Sequence, residues 1–76
     1  ALAENTNLVE VATPEQFIGK TLGDVDLRRR YGVSVIALRR SGQVLPQVAP
    51  DERLLRGDRL LIVGPPASVR RVASLA

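Results

Sequence analysis

The run Val33-Ser34-Val35-Ile36-Ala37-Leu38 constrains this chain more than any other stretch. It is rich in β-branched residues and bounded by Gly32 on one side and Ser41-Gly42 on the other, which is the length and punctuation of a β-strand. Side chains alternate along a strand, so Val33, Val35, Ala37 and Arg39 are expected on one face and Ser34, Ile36, Leu38 and Arg40 on the other. Both faces are then largely apolar. The run Arg59-Leu60-Leu61-Ile62-Val63-Gly64 reads the same way, with Leu61 and Val63 on one side and Leu60 and Ile62 on the other. Strands that are apolar on both faces need cover on both.

The supply of cover is limited. A chain of 76 residues is one domain and buries only about 60% of the surface its unfolded form exposes. There is no cysteine and no histidine, which excludes disulfide staples, thiolate and imidazole metal sites, and every His-based triad. No apolar stretch approaches the roughly 20 residues that cross a bilayer, and nothing at the start resembles a signal peptide. The chain therefore reads as soluble. Eleven basic against eight acidic residues leave a net charge of +3, a slight lean toward anionic partners. One Tyr, one Phe and no Trp leave few rings on which bases could stack.

Taken in order, residues 1–7 read as a frayed end or linker remnant and 8–76 as the domain. Leu8 to Thr13 alternates as a half-buried strand with Glu10 outward, and Pro14 ends it. Glu15 to Lys20 connects onward, with Phe17 and Ile18 as core contacts. One helix is expected from Thr21 to Tyr31: Thr21 caps it with Asp24 three residues on, Leu22, Val25, Leu27 and Tyr31 form its apolar stripe, and Gly32 stops it. Arg28 to Arg30 fan around that helix end and read as a solvated terminus. Gln43 to Pro50, with Pro46 and Pro50, is an extended arm or edge strand. Asp51 to Arg56 reads as a helical turn, and Arg56-Gly57-Asp58 as an ordinary turn despite matching an integrin-binding string. Pro65-Pro66 opens a last helix, Ala67 to Leu75, with Val69, Val72 and Leu75 inward.

The expected fold is α+β: a small sheet of three to four strands with two short helices on one face. Two helices plate one face of such a sheet and not both. The other face should meet a second copy, and a two-fold homodimer is the commonest closed solution. Val35, Ala37, Leu60 and Ile62 are the expected interface positions.

The ordered combination of a Val-Glu-Val opening, Ile18-Gly19-Lys20-Thr21-Leu22, Leu27-Arg28, Tyr31-Gly32, Val33 to Gly42, Pro50, Leu54, Gly57-Asp58 and Leu60 to Gly64 resembles the C-terminal subdomain of the regulators of potassium conductance, the TrkA-C or RCK_C domain. The resemblance covers about Leu8 to Leu75. It implies a cytosolic, dimeric regulatory module of a potassium or other cation channel, transporter or antiporter, at the inner face of the membrane. Some members of that family bind cyclic di-AMP between two C-terminal subdomains, which implies a ligand role for Ile36, Arg39, Arg40 and Pro46. No Gly-x-Gly-x-x-Gly follows a strand, so no dinucleotide cofactor is expected.

Two other classes compete with a ligand-sensing module. One is a purely structural assembly domain; the other is a nucleic-acid binder acting through Arg28 to Arg30 and Arg70-Arg71, though no nucleic-acid partner is expected. No enzyme is expected, because Glu10, Glu15, Asp24, Asp26, Asp51, Glu52 and Asp58 show no spacing that singles out a pair, and no nucleophile has a base beside it.

Overall fold

The structure, a computed structural model, describes residues 4–76. Four strands form one antiparallel sheet: β1 (Asn7–Ala12), β2 (Ser34–Arg40), β3 (Gln43–Leu45) and β4 (Arg59–Gly64), in the order β1-β4-β2-β3. A 3-10 turn (Glu15–Phe17) and three helices, α1 (Leu22–Val25), α2 (Leu27–Tyr31) and α3 (Pro66–Ala73), supply the cover. Residues 1–3 of the expected linker lie outside the described residues, and Asn7 already belongs to β1, where it pairs with Gly64. No helix among the described residues is long and apolar enough to cross a membrane.

β2 does not alternate strictly. Val35 pairs with Ile62 and Ala37 with Leu61, which leaves Ile36 as the extra residue of a β-bulge. The bulge resets the phase, so Val35 and Leu38, rather than Val35 and Ala37, lie on the same side as Leu60 and Ile62. On that side Leu38, Leu60 and Ile62 are fully enclosed, packed with Val11, Phe17, Val25, Leu27, Val33, Leu54, Val69 and Val72. Ile36 is left 45% exposed. The opposite side carries Leu61, Val63, Ala37 and Leu8, together with Glu10, Arg39 and Arg59. Arg39 and Arg59 are directly opposed across the ladder, an arrangement that repels. Glu10 relieves it, accepting from Arg59 Nε at 2.7 Å and from Arg39 Nε at 3.2 Å.

The helix expected from Thr21 to Tyr31 is broken. Thr21 caps as read, its hydroxyl accepting from the Asp24 N–H at 3.1 Å. Asp26, however, adopts φ 53°, ψ 55°, a left-handed conformation that an Asp tolerates better than most residues. It closes α1 and opens α2 at a new angle, so that Val25 and Leu27 both point into the core. Gly32 ends α2 at φ 76°, where a side chain would be strained. Asp51 to Arg56 is not helical: Arg53 makes a β-bridge to Thr21 instead. α3 packs Val69 and Val72 inward.

The bulge makes a specific stability prediction. Leu38→Ala should cost about 2–5 kcal/mol in urea denaturation, whereas Ile36→Ala should change stability by about 0.5 kcal/mol or less. Equal costs would mean that the two residues share a face after all.

Candidate functional site

The site is held from its far end, where β2 finishes in Arg40. After the bulge, Arg40 lies on the helix side of the sheet, beyond Leu38, and its guanidinium is fully engaged. Nε and Nη2 donate to the two oxygens of Asp58 at 2.9 and 2.8 Å, Nη1 donates to Glu52 at 3.1 Å, and Nη2 also reaches the Arg53 carbonyl at 3.0 Å. Asp58 is 2% exposed and accepts in addition the Leu55 N–H at 2.8 Å. Bidentate, charge-assisted bonding of this kind is the geometry that makes a buried carboxylate tolerable. The hydrogen bonds that Arg40 donates hold the Asp58 carboxyl below its ordinary range, and the same bonds raise the Arg40 guanidinium.

This ion pair fixes the irregular segment 49–58, which in turn seats α1. The Leu22 N–H donates to Glu52 O at 2.9 Å, Gly23 N–H to Pro50 O at 2.8 Å and Gly19 N–H to Leu54 O at 2.7 Å, while Leu54 N–H returns a bond to Lys20 O at 2.9 Å. The approach at Gly23 favours a glycine, since a Cβ there would lie 3.1 Å from Pro50 O.

Between α1, the start of α2, the start of β2 and the arm that follows β3 lies a groove of about 320 Å³. Leu22, Leu27, Val33, Val35, Val48 and Pro50 give it aliphatic walls, and Gly23, Asp26, Arg28 and Ser34 complete the lining. β3 covers β2 only from Leu38 to Arg40, so the β2 edge from Ser34 to Ala37 has no strand partner on this side and offers its backbone donors and acceptors. Asp26 is occupied by Arg29, at 2.6 Å. Arg28 makes no ion pair among the described residues and is the groove's sole lining cation. The arrangement suits a flat, partly apolar ligand with an anionic group placed at Arg28.

The residues nominated from sequence do not converge here. None of Ile36, Arg39, Arg40 and Pro46 lines the groove. Arg39 and Arg40 project from opposite faces of β2, the first toward Glu10 and the second toward Asp58. Pro46 is exposed at the start of the arm. Of the expected interface positions, Val35 lines the groove and Ala37 lies on the open face at 7% exposure. Leu60 and Ile62 are fully enclosed by the chain's own core and have no surface to offer a second copy. Sequence reasoning passed over Leu22, Leu27, Arg28, Ser34, Val48 and Pro50 as groove residues. The available signal was Arg28 itself, the first of three arginines and the one adjoining the buried Leu27. The integrin-like tripeptide is structural, since its Asp58 is buried on Arg40. Among the described residues no group of three or more His, Cys, Asp or Glu is placed to hold a metal ion.

The fold and groove together define a small α+β module with an open, largely aliphatic groove, and comparison with known proteins specifies the family. The TrkA-C domain profile matches residues 8–76, and the chain belongs to the TrkA-C (RCK_C) family. It is 30% identical over 70 residues to the Ktr system potassium uptake protein C of Bacillus subtilis, covering 92% of this chain and 32% of that protein. It is 39% identical over 74 residues to an uncharacterised transporter of Bacteroides fragilis, covering 95% of this chain and 14% of that one. The chain thus spans a third or less of these relatives. Among solved structures it superposes on the RCK C domain of the potassium transport protein KtrA in complex with cyclic di-AMP. That match has a TM-score of 0.87 at 29% identity and covers 96% of this chain and 86% of the other. The GsuK channel bound to NAD shares the fold, with a TM-score of 0.83 at 24% identity over 97% of this chain and 14% of the channel.

The Asp58 anchor predicts a pH dependence. Its folded pKa is depressed, so its contribution is present above the unfolded carboxylate pKa of about 3.9 and is lost as pH falls through the lower folded value. Asp58→Asn should cost about 1–3 kcal/mol at neutral pH. In urea titrations the gap from wild type should stay level from neutral pH to about 5 and narrow below about 4. A gap unchanged at the acid end would contradict the anchor.

Proposed function

We propose that this chain is a ligand-sensing and dimerising regulatory module of a potassium or other cation transporter or channel. It acts on the cytoplasmic side of the membrane and takes cyclic di-AMP in the groove beside Arg28. The single observation that carries this reading is the groove itself, an aliphatic cleft with one uncommitted arginine and a free strand edge. The likeness to the KtrA C domain bound to cyclic di-AMP supports the choice of ligand, and the potassium uptake relative supports the setting.

Cyclic di-AMP consists of two identical nucleotide halves. A two-fold dimer presents two copies of one patch, so two grooves facing each other offer matched half-sites. In each half, Leu22, Leu27, Val35 and Pro50 receive an adenine, the Ser34-Val35 edge supplies backbone hydrogen bonds, and Arg28 meets a phosphate. On this reading the second copy lies along the groove side, where Val35 lines the cleft. A ligand shared across the axis favours the subunit arrangement in which both halves are engaged, and it shifts the population only by that preference.

Calorimetric titration with cyclic di-AMP tests the reading. The expected result is saturable binding at one ligand per two chains. Arg28→Ala should weaken it by at least about tenfold, the loss of a hydrogen bond to a charged group, and Arg39→Ala should leave it unchanged. Absence of heat at millimolar ligand would remove the nucleotide from the proposal.

A further inference from the structure

The positive charge of this chain is segregated. α2 and α3 carry five arginines, Arg28, Arg29, Arg30, Arg70 and Arg71, and no acid. The rest of the chain holds the eight acids against the six remaining bases, so it is net negative and the whole positive excess sits on two helices. Outside them the arginines are largely neutralised at contact distance: Arg39 and Arg59 by Glu10, Arg40 by Glu52 and Asp58, and Arg56 by Glu15. On the helices, Arg29 with Asp26 is the one such pair among the described residues.

The fold brings the two arginine clusters, forty residues apart in sequence, onto one surface. Tyr31 is the junction. Arg30 from α2 and Arg71 from α3 lie 5.6 and 5.8 Å from its ring centre, and Arg71 donates to the Tyr31 carbonyl at 2.9 Å. Arg29 and Arg70 flank this pair and are exposed. Apart from Arg29, like charges are gathered here without carboxylates between them, which is costly unless an anionic surface completes the arrangement.

We infer that the α2–α3 surface is an electrostatic docking site for an anionic phospholipid bilayer. Polyanionic nucleic acid fits less well. The ring of Tyr31 is covered by two guanidiniums and Phe17 is buried, so no aromatic is free to stack on a base. The outward positions of α3 are Ala67, Arg70, Arg71 and Ala73, two cations among small residues, with no Asn or Gln to read adenine edges. The apolar side of α3, Val69 and Val72, is spent in the core, so docking would be by charge at the headgroups, without insertion. The choice of a bilayer rests in part on the proposed setting beside a membrane transporter, whereas the charge segregation stands without it. The docked state would hold the groove, on the other flank of α2, at a defined orientation to the membrane.

Co-sedimentation of the 76-residue chain with vesicles of mixed phosphatidylserine and phosphatidylcholine tests this. Binding is expected at low salt, lost at high salt and absent on pure phosphatidylcholine. Arg30→Gln with Arg70→Gln should reduce partitioning by about fivefold per arginine. Arg39→Gln with Arg56→Gln, which removes the same net charge elsewhere, should leave it within about twofold of wild type. Thermal melts of both double variants confirm that they are folded. Equal losses in the two variants would reduce the effect to net charge and overturn the site. Binding to duplex DNA at the same salt without vesicle binding would overturn the bilayer as partner. Cyclic di-AMP titrated into the same preparations reads the groove independently, so a failed vesicle assay with intact nucleotide binding removes this inference alone.

Discussion

The pairing of Asp58 with Arg40 is the contact on which the rest of the molecule depends. It joins the last residue of β2 to the residue that precedes β4, and Glu52 and the Leu55 N–H are tied into the same cluster. The segment so fixed has almost no regular structure of its own, yet it presents Pro50, Glu52 and Leu54 to the backbone of residues 19–23. α1 is only four residues long and could not persist as an isolated helix. It is held in place by that segment, and α1 and Pro50 form one wall of the groove.

The opposite wall comes from a second local departure from regularity. The extra residue at Ile36 lets β2 present Val35 and Leu38 to the helix side, while Ala37 and Arg39 face away. Because β3 stops at Leu45 and the arm turns off toward α1, the early part of β2 keeps a free edge beside Val48 and Pro50. The prolines at 46 and 50 suit this departure, since neither could donate to a continuing ladder.

Much of the architecture was legible from residue pattern. The bounds of β4, the Thr21 cap, the Gly32 stop, the arm after Ser41-Gly42 and helices confined to one face all follow from local chemistry, and the family resemblance came from their order. What could not be read were the places where one residue changes the phase of everything after it. Nothing in Val-Ser-Val-Ile-Ala-Leu marks Ile36 as a bulge, because each residue in the run is acceptable on either face. Nothing in the Thr21 to Tyr31 pattern marks Asp26 as the residue whose left-handed backbone splits the expected helix. The groove was not read from the sequence either. The family resemblance put Arg39 and Arg40 near a ligand, whereas the structure pairs the first with Glu10 and the second with Asp58. Arg28, read as one of three solvated arginines, is the cation that lines the groove.

The account stands on the claim that ligand binds between α1, α2 and the free edge of β2. Amide chemical-shift mapping by NMR during addition of cyclic di-AMP tests this residue by residue. The largest shifts are predicted at Gly23, Arg28, Ser34 and Val35, with Glu10, Arg39 and Leu61 on the open face of the sheet unmoved. Shifts clustered instead around Arg39, Leu61 and Val63 would contradict it and return the ligand to the other face.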